Sequence, residues 1–430
     1  MPSQADVVVI GGGITGCSTA FHLARRGVRV VLLEKGEIAS EQSGRAWGFV
    51  RQQGRHPAEL PLARVASALW EELPTELGAD LEFVRGGILA LAETQADVAR
   101  LEEGARVAAE NGLSTRMVTA GEIREIIPEL AGPWRAGLYT PDDAHAEPEA
   151  ATRAFARAAE RRGAILCTHT PAIGIDLANG AVTGVYTQRG LVRAGAVVCA
   201  AGIWSARGAR WAGFTVPFQI VRSSVAETRV TTPFTRTAVW GPHVAFRPTL
   251  RGTFYLGNGY RGAGADYDIT LASFRHLTYF LPNYLRNWRS LRVRASRALV
   301  ADIFRVLTGS GSDVAGRGLP TEPPVNRRKI AHNERRFYEL FPKISGLGIG
   351  RAWAGYIDLT PDLIPLLGAI GSPGGFYLAA GFSGHGFALG PVVGRLLSEL
   401  IVDGRPSLDL EPFRPGRFAE GEVVRARRVL

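Results

Sequence analysis

The chain has 430 residues, 46% hydrophobic and 21% charged, with 50 Lys and Arg against 40 Asp and Glu. This length and balance fit a folded enzyme of more than one compact unit and exclude a disordered chain. No apolar run approaches the about 18 residues of a membrane span. The N-terminus lacks a signal peptide's basic start and cleavage site. Cys17, Cys167 and Cys199 are an odd number in apolar settings, so a reduced, cytoplasmic compartment without disulfide framework or metal site is expected.

In chain order, Asp6-Val-Val-Val-Ile10 reads as a buried strand running into Gly11-Gly-Gly13-Ile14-Thr15-Gly16. A helix follows to about Arg26, then a second apolar strand, Val30–Leu33, ending at Glu34 and Lys35. A strand, a glycine-rich turn, a helix and an acidic residue about 20 positions on form a dinucleotide-binding unit. Gly11 permits the turn, Gly13 lets backbone approach a pyrophosphate and Gly16 brings the helix against the strand. The helix N-terminus offers N–H groups and a positive dipole end to phosphates. Glu34 is placed to accept ribose hydroxyls and to repel a 2′-phosphate, which argues against NADP.

Residues 40–55 read as a polar loop, and helices are predicted over about 60–73, 94–111 and 119–127. Gly87–Ala92 reads as a strand, and Pro148 opens a helix that ends near Arg162. Strands are predicted at 164–168, 172–177 and 181–187, the last two joined by Asn179-Gly180 as a hairpin turn. Ala196–Ala200 is a buried strand entering a second nucleotide-type motif, Val197-Val-Cys-Ala-Ala201-Gly202-Ile-Trp204. Residues 216–260 look β-rich, about 270–310 helical and basic, and 309–325 a loop. A third motif, Gly381-Phe-Ser383-Gly384-His385-Gly386-Phe, leads into a helix from about Phe387 to Ile401. Nucleotide-type segments thus recur at the start, middle and end of the chain. The expected fold class is α/β plus α+β: a discontinuous Rossmann-like domain (1–85, 145–215 and 340–430) interrupted by a β-sheet-based substrate domain (86–144 and 216–339).

The net charge of +10 is almost all arginine, densest over Arg286–Arg297 and again at Arg327-Arg-Lys329 and Arg335-Arg336. Three readings stay open: a solvated face, a docking surface for an acidic redox partner or anionic membrane, or nucleic-acid binding. The last is disfavoured, because no nucleic-acid module is present and aromatics there are sparse.

At these motifs the chain resembles the D-amino-acid oxidase superfamily of FAD-dependent amine and amino-acid oxidoreductases. The likeness extends to Trp353-Ala-Gly-Tyr-Ile-Asp-Leu-Thr-Pro-Asp362 with Pro365 and Gly368, and to the tail Leu410–Phe418. It implies FAD, with the adenosine on the first motif and the isoalloxazine reaching a cavity between domains. Ser43, Gly44 and Arg45 match the family's loop beside the cofactor. The resemblance also implies oxidation of a C–N bond by hydride transfer to the flavin, giving an imine that water hydrolyses.

Phe49-Val-Arg51 matches the sarcosine oxidase pattern, so Arg51 is the first candidate to clamp a carboxylate. Tyr255, Tyr356, His385 and Gln52 are further pocket candidates, with His56 weaker. The familiar carboxylate partners are otherwise missing: Ala388 stands for the family lysine after Gly-His-Gly-Phe, and Ile357 for glycine oxidase's arginine. This argues against simple sarcosine or glycine. No cysteine occurs in Ala354-Gly-Tyr and Gly48 replaces the histidine that carries flavin in dimethylglycine dehydrogenases, so non-covalent FAD is expected. The oxygen-activating lysine of sarcosine oxidase has no counterpart near Phe254–Gly257, although Arg251 or Arg261 could substitute. This leans toward a dehydrogenase passing electrons to a redox protein or quinone. Alternatives are an FAD-dependent 2-hydroxyacid dehydrogenase, and a flavoprotein subunit docking through 286–297.

Overall fold

The computed structural model describes residues 1–261, 265–269, 276–286, 291–293 and 322–422. The nucleotide-type segments converge in one six-stranded sheet, ordered Leu366–Ala369, Phe376–Ala380, Ala196–Cys199, Val7–Ile10, Val30–Leu33 and Ile165–Cys167. Neighbours run parallel except at the Leu366–Ala369 edge, which is antiparallel. Val8 lies opposite both Val197 and Val31.

Continuous Val, Ile and Leu runs suit such strands because both sheet faces are covered. Val7, Val9 and Leu32 face a layer of helices through Phe21, Phe155, Val392 and Leu396. Val8, Val31 and Val197 face the opposite way, onto Val185 and Val192 of a three-stranded meander. That meander turns at Asn179 and Gly180, both with positive φ, as the hairpin prediction requires.

The nucleotide helix Ile14–Arg25 is crossed closely by the C-terminal helix Gly386–Asp403. At Gly394 an added Cβ would collide with Ser18 Oγ and come within 2.6 Å of Thr19 N. Ser18 Oγ donates to the Pro391 carbonyl across the same crossing, at 3.0 Å.

A second sheet of ten strands among the described residues carries the 86–144 and 216–339 material. Its centre is Gln219–Thr228, Phe254–Asn258, Val244–Pro248, Ala238–Trp240 and Ile88–Ala92. The helix Arg327–Leu340 covers one face, where Phe337 and Phe341 pack on Phe246 and Phe254. The predicted helices appear at Leu60–Leu77, Gln95–Glu110, Ala120–Ile126 and Pro148–Arg161. Thr94 and Thr119 start two of them with complete capping boxes.

Two expectations need correcting. Ile349–Leu359, assigned by sequence to the nucleotide domain, hydrogen-bonds along Gln219–Thr228 in the second sheet. The reason is its alternating burial, which suits a sheet with two unlike faces rather than a core strand. The expected basic helical region 270–310 contains a helix at Leu277–Arg286 and a strand at Leu291–Val293. The remainder of the 286–297 segment, and most of the 309–325 loop, lie outside the described residues.

Candidate active site

A cavity of about 1670 Å³ runs from the first glycine-rich turn to the junction of the two sheets. Gly11 has φ +113°, and a Cβ there would lie 2.5 Å from the Ala200 carbonyl oxygen. This is where the first and second motifs meet. Glu34 is buried, accepting the Gly12 N–H at 2.7 Å and the Gly36 N–H at 2.7 Å. Burial raises its carboxyl above the ordinary range, and the two N–H donors oppose that rise. Ser43 Oγ accepts the Ile14 N–H at 2.9 Å, at the N-terminus of the nucleotide helix. Lys35 pairs with Glu41 and stacks 4.3 Å from the Trp204 ring, whose Nε1 donates to Glu41.

The second and third motifs are tied to the 40–55 loop by two side chains to which sequence analysis assigned no role. Gln42 Nε2 donates to Asp358 at 2.8 Å, and Gln42 Oε1 accepts the Ile203 N–H at 2.7 Å. The other oxygen of buried Asp358 accepts the Gly381 N–H at 2.7 Å. Arg45 Nη1 donates to the Ala354 carbonyl, and Trp353 Nε1 returns a bond to the Arg45 carbonyl.

At the inner end Arg51 lies 4.7 Å over the Trp240 ring, with Nη1 donating to the Gln53 carbonyl. Trp47 and Phe49 complete an aromatic cluster, at 5.5 and 5.8 Å from Trp240. Burial, with Arg55 adding repulsion, pushes Arg51 down to about 9. Asp143 holds the strand carrying Arg51 by accepting the Gln52 and Gln53 N–H groups, and burial pushes it up to about 7.

His385 caps the C-terminal helix, and its Nδ1 lies 2.9 Å from Glu59 Oε1. Glu59 is fully buried. Burial, with Arg55 adding repulsion, lowers His385 to about 4, so the imidazole is neutral near pH 7 and donates from Nδ1. Among the described residues Glu59 Oε2, Arg55 Nη1 and Trp240 Nε1 are buried without a hydrogen-bond partner.

The family of FAD dependent oxidoreductases matches residues 6–400. The chain belongs to this family. It is 27% identical to glycine oxidase of Geobacillus kaustophilus over 96% of this chain and 97% of that protein. It is 26% identical to human mitochondrial dimethylglycine dehydrogenase, matching 97% of this chain but only 45% of that protein. The chain therefore spans less than half the length of that dehydrogenase. L-Amino acid deaminase from Proteus myxofaciens, solved in complex with anthranilate, superposes with a TM-score of 0.86. It is 26% identical over 97% of this chain and 94% of that one.

The residues present fit FAD. The glycine turn leaves room for a backbone-to-phosphate approach, and Glu34 retains lone pairs for ribose hydroxyls beyond its two backbone donors. Gly13, Ile14, Thr15, Glu34, Lys35, Ser43, Arg45, Ala201, Gly202, Trp204, Ser383, Gly384, His385 and Gly386 line the cavity, as do Gly11, Arg51 and Tyr356.

Gly16, Gly44 and Gly381 do not line it. Gly16 and Gly44 sit tightly against the carbonyls of Gly11 and Ala39, and Gly381 is held by Asp358. Tyr255 is also off the cavity, which corrects its expected pocket role. Its hydroxyl donates to Glu147 at 3.2 Å, and its ring lies between Trp353 and the Arg247 guanidinium. Strand alternation turns it toward the buried Arg247–Glu147 pair. No helix among the described residues is long and apolar enough to cross a membrane.

Proposed function

We propose that the protein oxidises the C–N bond of a carboxylate-bearing amine or amino acid, with non-covalent FAD and an acceptor other than oxygen. The observation that carries this reading is Arg51: a guanidinium lining the cavity, 4.7 Å from the centre of the Trp240 ring, whose hydrogen bond among the described residues is to the Gln53 carbonyl. Its planar fork suits a carboxylate, and Asp143 fixes the strand that aims it. Bound FAD supplies the two-electron acceptor. The activities for which the relatives are named, glycine oxidase and dimethylglycine dehydrogenase, support the amine class.

The chain's own groups position and protect. Neutral His385 has its tautomer fixed by Glu59, so Nε2 is left as an acceptor for a substrate N–H. Trp47, Phe49 and Trp240 keep the inner end apolar and exclude water. Cys199 is the cysteine on the cavity wall, and burial raises its thiol to about 11 at the end of a sheet strand. This supports a flavin without a thioether link. Arg261 and Arg251, the alternative cations for oxygen activation, are each neutralised by carboxylates, Asp97 with Glu93 and Glu147 with Glu82. That supports a dehydrogenase, its electrons passing to a redox protein or quinone.

A second reading, oxidation of a 2-hydroxyacid, is favoured by one observation. The buried Glu59–His385 pair has the form of a base held ready for a hydroxyl proton. Anaerobic mixing with amines, D- and L-amino acids, N-alkyl amino acids and 2-hydroxyacids separates the two. Flavin bleaching by amines with slow return in air is expected. Bleaching by hydroxyacids alone would move the function to C–O oxidation, and fast return with peroxide would make the enzyme an oxidase. Arg51→Ala should raise KM about 100-fold with a normal flavin spectrum, the scale of a lost charged hydrogen-bond pair. Loss of flavin instead would assign Arg51 to the cofactor.

A further inference from the structure

A second arginine stands on the same cavity wall without a use in the reading above. Arg100 lies 3.6 Å over the ring of Tyr260, and both line the cavity with Arg51 and Trp240. The two aromatic rings are anchored side by side. Trp240 pairs with Ala90 of strand Ile88–Ala92, and the Tyr260 hydroxyl donates to the next carbonyl, Leu91, at 2.5 Å. The Tyr260 N–H in turn bonds to the Gly241 carbonyl. Each ring thus carries one guanidinium into the same chamber.

Asp97 acts on Arg100 through its charge but makes no ion pair with it, being engaged elsewhere. Asp97 Oδ2 accepts the Thr94 N–H, the Thr94 hydroxyl and the Glu93 N–H, at 2.9, 2.8 and 3.1 Å. Arg261 closes on Asp97 as well, donating from Nε at 3.1 Å. Among the described residues Arg100 Nη2 remains buried without a hydrogen-bond partner, as does the Trp240 indole N–H. Two cations, neither in an ion pair among the described residues, line one cavity. Such a set is stabilised when an entering ligand brings two anionic groups.

We propose that the substrate is a dicarboxylate amine, one carboxylate on Arg51 and the second on Arg100. This class includes N-carboxyalkyl amino acids and amino acids with an acidic side chain. The proposal rests on the amine-oxidation reading for its chemistry, but its binding half can be tested alone. Non-reducing glutarate and adipate, and butyrate as the monocarboxylate, are titrated into the FAD-loaded enzyme while the flavin spectrum is followed. The dicarboxylates should bind roughly tenfold or more tighter than butyrate, the value of one further charged hydrogen bond. Arg100→Met should bring dicarboxylate affinity down to the butyrate level, and Arg100→Lys should restore part of the difference. Equal affinities in the unmodified enzyme, or a preference that survives Arg100→Met, would overturn the second subsite. Anaerobic flavin reduction judges the other half. Reduction by monocarboxylate and dicarboxylate amines with equal efficiency would sink the second subsite and leave amine oxidation standing. Tight dicarboxylate binding with no amine reducing the flavin would do the reverse.

Discussion

A single carboxylate shows how the cofactor end is built. Glu34 is fixed by two backbone donors, one from the glycine turn and one from the segment beyond the second strand. A ribose bound there would meet it already oriented, with little side-chain entropy left to lose. Glu34→Ala should weaken FAD about 10- to 100-fold, read by fluorescence titration of the stripped protein, with Glu34→Gln between. Unchanged affinity would mean the ribose lies elsewhere. Glu34, Arg51 and His385 were legible in the sequence because each belongs to a short local motif. Glu59, Arg55, Asp143, Gln42 and Asp358 were not. Glu59 reads as an ordinary acid in a first helical turn, and nothing local announces that it meets His385 across a separation of 326 residues. Tyr255 failed for a related reason: the resemblance placed it near the family's oxygen-activating lysine, and nothing local shows that its ring packs on Trp353.

At the scale of elements, the nucleotide helix is held in place by the C-terminal helix. Their close crossing depends on the absence of a side chain at Gly394. Gly394→Ala should cost about 1–3 kcal/mol in chemical unfolding, as overpacking does, and should loosen FAD with it. Gly195→Ala is the control, since its Cβ would enter open space. A Gly394→Ala protein as stable as the control would show that the crossing can widen freely. The tail that resembles the family acts by the same logic of long reach. Arg417 is buried and forks onto Asp362 at 2.9 and 3.0 Å, also donating to the Pro365 and Ile364 carbonyls. The helix Arg327–Leu340 escaped prediction although Ile330, Asn333, Phe337 and Leu340 form its buried stripe. Its arginines obscured that spacing. In the structure Arg336 pairs with Glu339 at 2.7 Å, as a charged outer face does. The pairing of Ile349–Leu359 with Gln219–Thr228 was illegible because register across 130 residues leaves no local trace.

Across the whole molecule, the discontinuous sheet buries ionisable groups that the unfolded chain exposes, and this sets the pH range of the fold. His22 and His145 are buried, and desolvation pushes each down to about 3, while His385 falls to about 4. An unfolded histidine binds its proton near 6.5. Between about pH 6.5 and 4 the unfolded chain therefore holds up to three protons that the native histidines do not. Asp143 works the other way, since burial lifts it to about 7 and the native state keeps a proton that the unfolded carboxyl has lost. The raised carboxyls of Glu34, Glu82 and Asp358 act in the same sense as Asp143, while the histidines make their own contribution to stability fall as the pH drops through this window. His22 isolates the effect. It sits edge-on to Phe21 at 5.0 Å, and among the described residues both ring nitrogens are buried and unpartnered. His22→Leu removes the proton site and leaves an apolar side chain in an apolar layer. Urea unfolding at pH 7, 6 and 5 should show the variant gaining on the parent by about 0.7 kcal/mol from pH 7 to 6 and about 1.2 kcal/mol from pH 6 to 5, approaching the value of one proton per pH unit. Parallel curves would mean that His22 takes up its proton inside the fold, and that the helix layer around it opens well before the sheet gives way.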